Sequence, residues 1–289
     1  MTVFNLGSIN ADLVYRLPHL PAPGETLASS EFSRGLGGKG ANMSVAAARA
    51  AARCVHLGAV GADGGWAVER LLEYGVDTRH IRTVDGPTGH AIIMVDDAGE
   101  NAIVLHPGAN HELTAEHLEP LAEARDGDVF VFQNETSLQR EGAEMASARG
   151  MRVAYAAAPF DADAVRAVLP LLDLLVLNAV EAAQLAEATG MQPQALPVRD
   201  VVVTRGPDGC DWHDTDAGTT RHFDALKVRP VDTTGAGDTF TGYLLAGLDR
   251  GMPMAQAIGL ATKAAALMVT RHGTADVIPD LREVQDLSL

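Results

Sequence analysis

The stretch Val231-Asp232-Thr233-Thr234-Gly235-Ala236-Gly237-Asp238-Thr239-Phe240 constrains this chain more than any other. It follows Ala225 to Val231, which reads as a strand or a turn. It opens a segment with helical spacing at Phe240, Tyr243, Leu244 and Leu248. Two glycines around an alanine let a ligand approach the backbone closely. If a helix starts here, the N–H groups of Gly235, Ala236 and Gly237 are among its unpaired donors, at the positive end of the helix dipole where anions bind. Asp238 then lies in the first turn, beside whatever those amides hold. Amides for a transferring phosphoryl group and a carboxylate to take a hydroxyl proton are the minimum parts of phosphoryl transfer. A lone G-x-G-D fits a tight turn with an acidic helix start just as well; the ten-residue string is far more specific.

A second glycine cluster, Gly35-Leu36-Gly37-Gly38-Lys39-Gly40-Ala41-Asn42, precedes a helix-like run from Met43 to Ala52. It lacks the G-K-[ST] ending of a P-loop, and no buried strand leads directly into it as a dinucleotide fingerprint requires. Alone it reads equally as a flexible loop or as a site in which Lys39 offsets phosphate charge or binds a hydroxyl. Val3 to Ile9 predicts the first, central strand. Asn10 and Asp12 follow at its C-terminal end, where open α/β sheets bind ligands, and a plain polar turn is the competing reading. An amide and a carboxylate there offer donors and acceptors together.

Leu13 to Arg34, with Pro18, Pro21, Pro23 and Gly24, predicts strands and turns projecting from the main body, and Thr88 to Leu105 a hairpin. Strands at Cys54–Gly61, Asp128–Phe132, Arg152–Ala158, Leu171–Leu177 and Asp200–Thr204 alternate with helical segments such as Trp66–Tyr74. That rhythm predicts an α/β fold with a largely parallel sheet and helices on both faces. Polar residues recur at the strand ends, at Asn10, Glu135, Asn178 and Thr204, as a ligand cleft along one sheet edge requires. Helices are predicted from Asp238 to about Gly251 and from Met254 to Thr270.

A net charge of −16 argues against nucleic acid or an anionic membrane as a partner, so any phosphate site must be locally positive. No run approaches the ~18 apolar residues of a membrane span. Met1 to Ile9 has neither a basic flank nor a long apolar core of the signal-peptide kind, and a cytoplasmic location is expected. Cys54 and Cys210 have no metal-ligand spacing; buried thiols or one disulfide both fit.

Taken together, these motifs resemble those of the ribokinase family of carbohydrate kinases, in the family's order and over almost the whole chain. Gly-Gly-Lys39-Gly-Ala-Asn has the form typical of the ribose-specific members. The resemblance implies one kinase domain over 1–289, a three-layer sandwich with a small β lid formed by about 13–35 and 88–109. It implies Asp238 as the catalytic base, with Gly235, Ala236 and Gly237 supporting the phosphoryl oxygens. Asn10, Asp12, Gly38, Lys39, Asn42, Glu135 and Asp238 would hold the sugar. Asn178, Glu181, Thr204, Gly206, Gly209 and Gly237 would hold ATP, with Mg²⁺ near Glu181, mainly through water. Asp232, Thr234, Met268, Arg271 and Gly273 match the ligands of a monovalent cation, for which K⁺ suits hard oxygen donors. Val277 stands where such proteins often carry serine.

The resemblance also places Ala91, Ile93 and Leu105 toward the sugar or a lid partner, implies a homodimer through the lid, and predicts a truncated or missing helix between Gly190 and Asp200, where the family usually has one. Asn178-x-x-Glu181 fits an N-cap with an acidic first turn equally well, and Thr204 to Gly209 a hairpin turn. The implied acceptor is ribose. Rivals are fructose, 2-keto-3-deoxygluconate, since Arg34 and His90 would welcome an acid, and a nucleoside, for which aromatic residues are few. A sugar sensor without turnover and a nucleotide-binding dehydrogenase are the alternatives outside the kinases.

Overall fold

Runs that are apolar at successive positions, such as Val-Phe-Val-Phe at 129–132 and Leu-Leu-Val-Leu at 174–177, are too short for helices and demand cover on both faces. In the structure, a computed structural model that describes residues 1–287, they lie within a nine-stranded sheet. The chain begins with β1 (Val3–Leu6), β2 (Asn10–Leu17), β3 (Glu31–Gly37), α1 (Lys39–Arg49), β4 (Cys54–Val60), α2 (Gly65–Glu73) and β5 (Ile81–Thr83). A hairpin of β6 (Gly89–Asp96) and β7 (Asn101–His106) follows. Then come β8 (Val129–Gln133), α3 (Gln139–Ala148), β9 (Arg152–Ala156), α4 (Ala162–Val168), β10 (Leu174–Asn178), α5 (Ala179–Thr189), β11 (Asp200–Thr204), β12 (Cys210–Asp214) and β13 (Thr219–Phe223). Three helices end the chain, α6 (Ala236–Asp249), α7 (Met254–Met268) and α8 (Leu281–Asp286).

The main sheet runs β13-β12-β11-β10-β9-β8-β1-β4-β5, parallel except for the β11-β12-β13 edge. Alternation along the strands makes its two cores. Val3, Val129, Val131, Leu174 and Val176 pack with α1, α2, α6, α7 and α8. Phe4, Leu6, Phe130, Phe132, Leu175 and Leu177 pack on the other side with α3, α4 and α5. This is a three-layer sandwich, and its strands' C-terminal ends lie along one edge. A separate four-stranded sheet, ordered β3-β2-β6-β7, stands beside that edge. Its β2–β6 pair is parallel; the outer pairs are antiparallel.

Two sequence readings are corrected. Asn10 and Asp12 are not in a turn; they open β2, because their backbone pairs with Gly37 and Gly35 on one side and Gly89 and Ala91 on the other. Ala225 to Val231 is neither strand nor regular turn: β13 already forms that edge, and Pro230 has no N–H to extend it. Residues 115–123 form a 3-10 segment broken from α geometry by Pro120. Between α5 and β11 only a 3-10 turn, Pro193–Ala195, stands where the truncated or missing helix was predicted. Cys54 and Cys210 are buried free thiols. Among the described residues, no helix is long and apolar enough to cross a membrane.

Candidate active site

The Gly-Ala-Gly stretch starts α6 as the spacing predicts. Gly235 caps the helix with φ of 74°, and no side chain caps the exposed N–H groups. Ala236 N–H turns back to the Thr233 carbonyl at 3.3 Å. Among the described residues the unpaired amides are therefore those of Gly235, Gly237 and Asp238, so Asp238 takes the place that the sequence alone assigned to Ala236. A side chain added at Gly237 would meet nothing within 4 Å, so this amide face is open.

Asp238 lies just inside that opening, 8 % exposed. Asn42, from the first turn of α1, donates its amide N–H to Asp238 Oδ2 at 2.9 Å. Burial pushes the Asp238 carboxyl up to about 6, although Lys39 and the Asn42 hydrogen bond pull the other way; Glu135 and Glu181 add to the rise. The Lys39 ammonium is held charged by Asp238 first, then Glu135 and Glu181. It forms no ion pair within 4 Å among the described residues, so it acts as a local positive field in an acidic protein.

Glu135 leaves the end of β8 and is tied into the second glycine cluster. Its carboxylate accepts the Lys39 N–H at 3.1 Å and the Ser8 hydroxyl, and Ser8 Oγ in turn accepts the Gly40 N–H at 3.2 Å. Ser8 was missed in the sequence because it lies inside the apolar run Val3 to Ile9. The signal that flagged Asn10, a small polar residue at a strand's C-terminal end, applies to it equally. Asp12 lies over Gly37 and shares a face of β2 with Asn10. Burial, with the nearby Glu135 charge, raises its carboxyl to about 7. Gly38 bends the chain into α1. The structure thus brings Asn10, Asp12, Gly38, Lys39, Asn42, Glu135 and Asp238 into one cleft.

Farther along the sheet edge, Asn178 and Glu181 form a reciprocal capping box, with Asn178 N–H to Glu181 Oε2 at 2.7 Å and Glu181 N–H to Asn178 Oδ1 at 2.9 Å. The capping reading of this motif is therefore present. Glu181 Oε1 is nevertheless left without a hydrogen bond among the described residues, and burial raises its carboxyl against the pull of Asn178 and Lys39. Thr204 ends β11 and its hydroxyl reaches the Leu177 carbonyl at 3.4 Å. Gly206 and Gly209 then shape the turn of the β11–β12 hairpin, as the alternative reading held.

Asp232 joins the two remaining segments. Its carboxylate accepts the N–H of Thr234 at 2.9 Å and of Gly273 at 3.3 Å. The carbonyls of Asp232, Thr234, Arg271 and Gly273 accept no hydrogen bond among the described residues, whereas that of Met268 takes the Arg271 N–H at 3.0 Å. The Arg271 guanidinium points elsewhere, to Glu283 and the Val277 carbonyl. No cluster of three or more His, Cys, Asp or Glu side chains suited to a metal occurs among the described residues. Two further cavities lie away from this open cleft: one of about 370 Å³ lined by Arg152, Trp212 and Met252, and one of about 240 Å³ lined by Arg34, Trp66 and Tyr74.

The geometry is that of a phosphoryl-transfer site: a buried carboxylate of raised pKa beside open amides, with a lysine among three carboxylates. Comparison with known proteins agrees. The profile of pfkB family carbohydrate kinases matches residues 2–281. A ribokinase of Haemophilus influenzae is 33 % identical, covering 98 % of this chain and 96 % of its own. Among solved structures, Arabidopsis thaliana ribokinase complexed with ribose and ATP superposes with a TM-score of 0.88 at 28 % identity, covering 99 % of this chain and 98 % of its own. Cryptococcus neoformans ribokinase in complex with ADP gives 0.84 at 30 % identity, covering 99 % of both chains.

Proposed function

Because the chain belongs to the pfkB family of carbohydrate kinases, we propose that it transfers the γ-phosphoryl group of ATP to the hydroxymethyl oxygen of ribose. The observation that carries this is Asp238, buried, oriented by Asn42 and placed beside the unpaired amides of α6. Asp238 orients the acceptor hydroxyl and takes its proton as the new O–P bond forms and the bond to the ADP oxygen breaks. The amides of Gly235 and Gly237 hold the phosphoryl oxygens during transfer. Asn10, Asp12, Gly38, Lys39, Asn42 and Glu135 bind the sugar; Asn178, Thr204, Gly206 and Gly209 bind the nucleotide. The chain is one kinase domain whose small sheet is a lid, and closure of that sheet excludes water, the competing acceptor.

Glu181, half-buried with one free carboxylate oxygen near the nucleotide residues, fits a water-mediated Mg²⁺. That ion supplies charge neutralisation on the phosphates. The free carbonyls of Asp232, Thr234, Arg271 and Gly273 fit K⁺, with Met268 a poorer donor and Val277 supplying no side-chain oxygen. Exposed apolar residues on the lid support a homodimer. Exposed Ile103 and Leu105, with half-buried Ile93, continue the Asp12 face beyond the cleft, and Ala91 lies at its base.

ADP release from Mg·ATP, measured with ribose, fructose, 2-keto-3-deoxygluconate and adenosine in K⁺ and in Na⁺, tests this. Ribose should be used best, and K⁺ should raise its turnover. Turnover with another acceptor alone overturns the choice of sugar, and equal rates in both salts overturn the cation site. The pH profile is a second test. A base must be ionised to act, so kcat should rise as pH climbs through about 6 and fall away below it. The acceptor KM should improve as Asp12 ionises through about 7. A kcat that is flat across this range excludes Asp238 as the titrating base.

A further inference from the structure

Asn10 and Asn110 are 100 residues apart in the sequence and in direct contact in the fold. Asn110 follows β7, where the chain leaves the small sheet, and is 2 % exposed. Its orientation is fixed by the backbone. The Ile9 N–H can only donate, and it meets Asn110 Oδ1 at 2.9 Å. Asn110 Nδ2 must then face the other way. It donates to Asn10 Oδ1 at 2.8 Å and lies 3.4 Å from the Ile9 carbonyl. Asn10 therefore spends its oxygen on Asn110, and its own Nδ2 donates to no protein group among the described residues. A Cβ at Gly89 would strike both amides, so the start of β6 leaves room for this pair and for little else. The Asn110 carbonyl also accepts the Ser137 N–H at 3.2 Å, two residues beyond Glu135.

We propose that Asn110 is a positioning residue that sets the polarity of Asn10, so that Asn10 offers the acceptor sugar N–H donors and never an acceptor oxygen. Asn42 is set in the opposite sense. Its Nδ2 donates to Asp238 and its buried Oδ1 has no partner among the described residues, so the atom left to take a hydrogen bond is an acceptor. The cleft then demands an oxygen lone pair from the sugar at Asn10 and a hydroxyl proton at Asn42. A sugar lacking the hydroxyl at Asn10 leaves those N–H groups unpaired, which is the basis of its rejection.

The proposal rests on the sugar-kinase reading above. Asn110→Asp keeps the acceptor for Ile9 N–H but replaces the donor facing Asn10 with a second acceptor. The Asn10 amide should then turn over and present its oxygen to the cleft. Expected is a rise in the ribose KM of about 10- to 100-fold, with kcat within about threefold and the ATP KM unchanged. The rise should vanish for the one monodeoxyribose that lacks the hydroxyl held by Asn10. Asn10→Asp reverses the same polarity without altering Asn110 and should reproduce this pattern. Equal losses on every sugar, or a parallel rise in the ATP KM, would reduce Asn110 to a structural role and overturn the proposal. If the wild-type protein phosphorylates no sugar, the functional reading fails separately. Neutron diffraction of the two proteins still decides this one, since the Asn10 deuterons should point away from residue 110 in the wild type and toward it in Asn110→Asp. Unchanged deuterons overturn it.

Discussion

Asp238→Asn should fold, bind nucleotide and lose nearly all turnover. The substitution keeps size and leaves the amide end of Asn42 an oxygen to bond, but it removes the carboxylate that we propose takes the hydroxyl proton. General-base losses of this kind run to about 10²–10⁴-fold. Retention of more than about a tenth of wild-type kcat would rule out an essential base. The same variant should be more stable than the parent. The Asp238 carboxyl titrates at about 6 in the fold against 3.8 in the free residue, so the folded state holds the proton more tightly. That contribution is fully present below about 4 and is lost as pH rises through about 6. At neutral pH the folded protein thus carries a buried carboxylate at a penalty, which Asn removes. A gain of about 2 kcal/mol, or roughly 4 °C in Tm, is expected at pH ~7.5 without ligands, shrinking toward zero by pH ~4. A variant that is inactive and also less stable would mean that the residue is structural.

The second large effect concerns a glycine with no chemistry of its own. Gly40, in the first turn of α1, packs backbone to backbone on Gly7 and Ser8 at the end of β1, and a Cβ there would overlap Gly7. The approach is locked by three further contacts. Asn5 Nδ2 donates to the Gly40 carbonyl at 2.8 Å, Ala41 N–H to the Ser8 carbonyl at 2.8 Å, and Gly40 N–H to Ser8 Oγ at 3.2 Å. Gly40→Ala must push α1 off the sheet. We expect a loss of roughly 3 kcal/mol or more, a Tm lowered by at least about 6 °C, and kcat/KM down by about 10²-fold, because Lys39 and Asn42 move with the helix. Gly259→Ala is the control. That glycine lies exposed within α7 with nothing near its missing Cβ, so alanine should leave activity alone and stabilise by about 0.5–1 kcal/mol. Thermal melts and steady-state kinetics on the pair decide it; a tolerated Gly40→Ala would show that the close approach is dispensable.

The parallel sheet was legible because most central strands are short and apolar on both faces, a pattern that only a covered sheet satisfies. The start of α6 was legible because glycines and an aspartate at a strand-to-helix junction have few uses. The family resemblance added the order of the motifs. Asn10 and Asp12 could be read as a turn because local composition cannot show that β2 finds partners at 31–37 and 89–96. Residues 225–231 were over-read for the same reason: whether an apolar stretch becomes a strand depends on a free sheet edge, and β13 occupies it.

What the sequence determined by itself is local and periodic: the apolar alternation, the glycine clusters, the acid in the first helical turn, and the net charge that makes Lys39 matter. What only the tertiary structure decided is which polar atoms are already spoken for. Ala236 N–H turns back to Thr233, Ser8 shares Glu135 with Lys39, and Asn110 turns the Asn10 amide toward the cleft. Each of these depends on a hydrogen bond whose partner and direction are set by the folded backbone. Those bonds that join distant segments leave no spacing in the chain from which they could be read.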